Sequence, residues 1–88
     1  MEITIYTMEN CPYCVKAKDF FRQRGVFYRE IKVDENDDCV RSELEEKTGL
    51  KTLPQIFLGN KSVGGYSDLV ELDKSGELNK FLNKENFK

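Results

Sequence analysis

The chain has 88 residues, 34% charged and 39% hydrophobic, with a formal net charge of −2 and no histidine. That length supplies one modest core, so a single domain over 1–88 is expected, and the charge pattern lacks the basic run that a nucleic-acid surface needs. Without histidine there is no Ser-His or Cys-His nucleophile and no imidazole acid–base catalyst.

The opening MEITIYT has no basic stretch leading into a long apolar one, and no apolar run exceeds Ile56-Phe57-Leu58. Neither a signal peptide nor a membrane span is therefore expected, and a cytoplasmic setting is. Residues 2–7 are β-branched and aromatic with apolar side chains on both faces, which predicts a buried central strand. Next, Cys14, Ala17 and Phe21 recur at helical spacing, with Phe20 beside them, giving a helix over 12–24 that Gly25 can end. In 27–33, Phe27, Ile31 and Val33 alternate with Tyr28, Glu30 and Lys32 as in a half-buried strand whose inner face carries the first set. The chain thus begins β-α-β, a crossover that makes the two strands parallel.

Asn36 or Asp37 can cap a second helix with the thin apolar stripe Val40 and Leu44, stopped by Gly49. QIFL, then Gly59-Asn60, then KSV read as a hairpin. Past Gly64-Gly65, Ser67 is a good N-cap for a helix bearing Leu69, Val70 and Leu72. After Gly76, the residues Leu78, Phe81 and Leu82 predict a last amphipathic turn or two.

The chemistry lies in NCPYC. Pro12 suits the first position of a helix, so Cys11 falls at the N-cap, where exposed backbone N–H groups and the helix dipole favour a thiolate. Its pKa is expected in the range of activated cysteines, roughly 3.5 to 7.5 against about 8.5 for a free thiol. Cys14 lies one turn deeper on the apolar stripe, close to Cys11 but better shielded. Such asymmetry gives one attacking and one resolving thiol. Two alternatives stand beside this one. A zinc site would have only Cys39 and carboxylates to complete its ligands, so no metal is expected; an inert pair of core cysteines fits the spacing too.

Four features in order, Cys11-Pro12-Tyr13-Cys14, Ala17-Lys18, Thr52-Leu53-Pro54-Gln55-Ile56-Phe57 and Gly64-Gly65-Tyr66-Ser67-Asp68-Leu69, resemble the glutaredoxins from Ile3 to about Leu82. The resemblance implies an α/β, thioredoxin-like fold: a four-stranded mixed sheet of order 2-1-3-4 with helices on both faces. It also implies a glutathione-dependent thiol–disulfide oxidoreductase in which Cys11 and Cys14 form the redox-active disulfide. A cis peptide is implied at Leu53-Pro54, with Thr52, Leu53 and Pro54 meeting the cysteinyl backbone of glutathione. Gly65, Tyr66, Ser67 and Asp68 would hold its γ-glutamyl end, with Tyr13 as an aromatic wall.

Many relatives carry a lysine where this chain has Met8, and Lys51 or Lys16 would have to supply that charge. Ser67 stands where many relatives have an acid. The implied partners are glutathione and disulfide-containing or glutathionylated proteins, with no nucleic acid and no membrane, and the implied state is a monomer. A small redoxin served by thioredoxin reductase, favoured by Met8, and a glutathione-assisted iron–sulfur dimer are the other readings. Cys39 matches no family motif and points off the stripe of its helix, as a spectator thiol would.

Overall fold

The computed structural model describes residues 2–34 and 36–80. In chain order the elements are β1 (Ile3–Thr7), α1 (Pro12–Gln23), β2 (Arg29–Lys32), α2 (Asp38–Thr48), β3 (Gln55–Leu58), β4 (Lys61–Gly64) and α3 (Tyr66–Lys74). Residues 77–80 add a further helical turn around buried Leu78; Phe81 and Leu82, expected to extend it, lie outside the described residues.

One sheet carries the fold, in the order β2-β1-β3-β4. β1 runs parallel to β2 and antiparallel to β3, and β3 is antiparallel to β4. The core lies on one face, where Ile3, Ile5, Ile56 and Leu58 of the central strands meet Ala17 and Phe21 of α1 and Leu69 of α3. On the opposite face Tyr6 packs edge-on to Phe57 at 5.7 Å, and Thr4, Tyr6 and Phe57 share a hollow with Leu44 and Lys47 of α2. Both faces are thus covered, as a parallel β-α-β start requires. The helix termini follow local chemistry: Asp37, not Asn36, caps α2 by accepting from Val40 N–H at 3.3 Å, and Gly49 ends it at φ 78°. The far ends of α1 and α3 are clasped by Arg24, which reaches Asp73 at 2.8 Å and lies 3.7 Å from the centre of the Phe20 ring.

Two expectations are corrected. Phe27 does not face the core: it is 88% exposed, while Val26 is buried and Tyr28 packs on the core cluster. Alternation fails as a guide because β2 is an edge strand with little burial: Arg29, Glu30 and Lys32 are exposed and Ile31 is half-buried. Ile31, paired with Tyr6, shares the α2 face with Val33, whereas Glu30 turns to the α1 face, where it meets Thr7 and Lys18. Phe27 has the parity of Ile31 but precedes the strand. Ser67 is not the N-cap of α3; Gly65 is, and Asp68 accepts from the Gly65 N–H at 3.0 Å. The helix therefore starts at Tyr66, leaving Ser67 exposed in its first turn.

These placements separate two phenylalanines of similar size. Phe21→Ala should cost about 3–5 kcal/mol, since Phe21 is wholly buried, and Phe27→Ala within about 0.5 kcal/mol. Urea unfolding at neutral pH measures both; equal losses would contradict the assigned burial.

Candidate active site

Asn10, in the left-handed region at φ 56°, turns the chain from β1 into α1. That turn puts Cys11 at the N-cap with extended backbone and Pro12 at the first helical position. Cys14 N–H donates to Cys11 Sγ at 3.3 Å, and Val15 N–H donates to Cys11 O at 3.2 Å. One orphan donor of the helix start, Cys14 N–H, is thereby satisfied by sulfur, and the Val15 bond is the first of the intrahelical ladder. Cys11 and Cys14 are joined as a disulfide with Cα atoms 5.2 Å apart. Their exposures differ as spacing predicts: Cys14 is buried at 1% among the core residues, and Cys11 is half-buried at the surface.

The Leu53-Pro54 peptide is cis, and Leu53 O lies 3.8 Å from Cys11 Sγ. Buried Gln55 anchors this loop: its amide donates to Leu50 O at 2.8 Å and its oxygen accepts from Thr48 Oγ1 at 3.0 Å. Gly65 follows closely, since a Cβ there would stand 3.6 Å from Pro54 O. At Gly64, with φ 111°, a Cβ would come within 2.9 Å of Asp68 Cγ, so the position admits no side chain. Tyr13, 58% exposed, faces Tyr66 across 6.2 Å, and Lys16 Nζ lies 5.0 Å over the Tyr13 ring.

These contacts bring Cys11, Cys14, Tyr13, Leu53, Pro54, Gly65 and Tyr66 together at the start of α1, with Asp68 behind them, turned to the Gly65 N–H. Ser67 and Thr52 are exposed beside them. Lys51 is turned toward α2, where it pairs with Glu45 at 3.7 Å. Cys39 is free and exposed on α2.

A cluster behind the cysteines has no motif in the sequence. Thr7, buried at 1%, donates its hydroxyl to Glu30 Oε2 at 2.6 Å, and Lys18 Nζ meets the same oxygen at 3.0 Å. Thr7 first, then Lys18, hold the Glu30 carboxyl below its ordinary pKa of 4.5, against partial burial. The one local signal was the four-residue spacing of Cys14 and Lys18 along α1.

A helix-capping cysteine pair set against a cis-proline loop, on a sheet of order β2-β1-β3-β4, defines a thioredoxin-like thiol–disulfide oxidoreductase. Comparison narrows the class. The family model described as Glutaredoxin matches residues 3–63. Glutaredoxin 1 of Rickettsia prowazekii is 44% identical over 81 residues, covering 91% of this chain and 85% of that protein. Glutaredoxin 3 of Escherichia coli is 40% identical over 80 residues, covering 91% and 95%. Among solved structures, the buckwheat glutaredoxin–glutathione complex superposes with a TM-score of 0.86 at 30% identity, over 93% of this chain and 76% of that one. The chain belongs to the glutaredoxin family, and its activity is glutathione-dependent thiol–disulfide exchange.

Because the folded-state pKa of Glu30 is depressed, its ionised form contributes stability that is present above pH 4.5 and lost as pH falls below that value. Glu30→Gln should thus lower the urea midpoint at pH 7, and the gap from the parent should close on acidification. A gap unchanged down to pH 3 would contradict the ionic role.

Proposed function

We propose that Cys11 is the nucleophile and Cys14 the resolving thiol, with glutathione as electron donor. The observation that carries this reading is the Cys14 N–H aimed at Cys11 Sγ at the N-cap, which stabilises a sulfur anion there and nowhere else in the pair. In the reduced enzyme the Cys11 thiolate attacks a disulfide RS–SR′, forming a Cys11–SR mixed disulfide and expelling R′S⁻. Cys14 then attacks Cys11 Sγ and releases RS⁻. Two glutathione molecules restore the dithiol, leaving oxidised glutathione.

For glutathione itself, the Leu53 backbone beside Cys11 offers short-strand pairing to the cysteinyl residue, flanked by Thr52 and Pro54. The α3 start, at Gly65, Tyr66 and Ser67, offers N–H groups to the γ-glutamyl carboxylate, and Asp68 offers its charge to the ammonium. Tyr13 and Tyr66 would flank the bound sulfur. Lys51 reaches the glycine carboxylate only by leaving Glu45, an exposed contact worth about 1 kcal/mol or less. Support for a glutathione groove comes from the buckwheat relative, solved as a glutathione complex. We take the protein to act as a cytoplasmic monomer on disulfide-containing and glutathionylated proteins.

Cys14→Ser should keep activity on glutathione mixed disulfides, which a second glutathione resolves, and should lose most reduction of protein disulfides; Cys11→Ser should lose both. A coupled assay comparing glutathione plus its reductase with thioredoxin reductase identifies the donor, and turnover with thioredoxin reductase alone would refute the glutathione assignment. Thiolate absorbance against pH should place the Cys11 pKa at least about one unit below 8.5. Met8→Lys should lower it only modestly further, because an added lysine at the surface is screened. A parent value near 8.5 that drops by several units in Met8→Lys would show that side-chain charge, and not the helix start, activates the sulfur.

A further inference from the structure

A second hollow, of about 500 Å³, borders the disulfide, and apart from the cysteines none of the residues assigned to glutathione lines it. Its charged lining is Glu9, Lys18 and Lys32, with Cys11 and Cys14 at its wall. We propose that Lys18 is the electrostatic partner of Cys14 in the resolving step, fixed for that role by Glu30 and Thr7. The proposal rests on the assignment of Cys14 as resolving thiol.

Cys14 must lose its proton to attack, yet it is buried at 1% and, among the described residues, receives no helix-cap hydrogen bond of the kind Cys11 does. Burial alone raises a thiol's pKa. A cation in the hollow opposes that rise, and two are present. Lys32 is 57% exposed and pairs at 3.0 Å with Glu9, which lines the same hollow and offsets it. Lys18 differs on both counts. Its side chain is only 18% exposed, so water screens it less, and its partner Glu30 stands outside the lining, so the hollow meets Lys18 without its counter-charge. Four residues along α1 from Cys14, it lies on the same helical face. Thr7 and Lys18 share one oxygen of Glu30, which makes Glu30 a positioning residue. On the other side α3 opens with Tyr66 and Asp68, the latter turned to Gly65 N–H.

In the step itself, Cys14 releases its proton to water and its thiolate attacks Cys11 Sγ of the mixed disulfide. The Cys11–Cys14 bond forms as the Cys11–partner bond breaks, and the electron pair leaves on the partner's sulfur, which takes up a proton. Cys14 is oxidised and the partner sulfur reduced.

The test uses a Cys11→Ser, Cys39→Ser protein, in which Cys14 is the one remaining thiol. Adding Lys18→Met should raise the Cys14 pKa by about one unit, a tenfold loss of thiolate at a given pH. Lys18→Gln should do the same, and Lys18→Arg should restore most of it. With all cysteines present, Lys18→Met should cut the rate on a protein disulfide about three- to tenfold more than the rate on a glutathionylated small substrate. A Cys14 titration unmoved in folded Lys18→Met and Lys18→Gln proteins would overturn the proposal. Full protein-disulfide turnover in Cys14→Ser would instead overturn the dithiol assignment, and this proposal with it.

Discussion

A single hydrogen bond, from Cys14 N–H to Cys11 Sγ, makes the start of a helix and the start of a reaction the same place. A helix start leaves N–H groups unpaired and carries partial positive charge, which must be answered by something. Here the answer is sulfur, and everything around it keeps that sulfur in position. Pro12 removes one competing donor, Asn10 makes the turn, and the buried stripe of Cys14, Ala17 and Phe21 fixes the helix on the sheet, so the cap cannot drift from the groove.

The opposite wall is built by quite different means. No helix dipole acts at Leu53-Pro54; a buried glutamine does. Gln55 sits in β3 at 1% exposure and commits one end of its amide to Leu50 in the preceding loop and the other to Thr48, the last residue of α2. Left without those partners it would cost about 1–3 kcal/mol, so the loop is held by the same balance that keeps polar groups out of the core. The sheet thereby transmits its rigidity to a segment with no regular structure of its own, and Leu53 O comes to rest beside Cys11.

Much of this was legible in the sequence, for identifiable reasons. Caps and stops such as Asp37, Gly49 and Gly25 act on adjacent residues, so the chain displays them locally. The cysteine pair with Pro12 is local too. Phe27 was misplaced because alternation assumes a dry face, and β2, at the sheet edge, offers little of one: within it only Ile31 is even half-buried, and Phe27 precedes the strand. Ser67 looked a better cap than Gly65 on intrinsic preference, but Asp68 supplied the missing acceptor from three residues downstream. The Thr7–Glu30–Lys18 cluster was invisible because its members lie 23 and 12 residues apart and meet only through the parallel pairing of β1 with β2.

Gly64 and Asp68 carry a consequence for how this chain can evolve. A Cβ at 64 would press on the Asp68 carboxyl, and the backbone there, at φ 111°, strains any residue but glycine. The two constraints are not symmetrical. Losing Asp68 would clear the space but not change the torsion, so drift at 68 does not open drift at 64. Position 64 stays closed along every single-step route, whereas a change at 68 costs one cap and the charge proposed for the glutathione ammonium. The glycine is thus fixed by its own torsion whatever stands at 68, while the aspartate is held only by what it contacts.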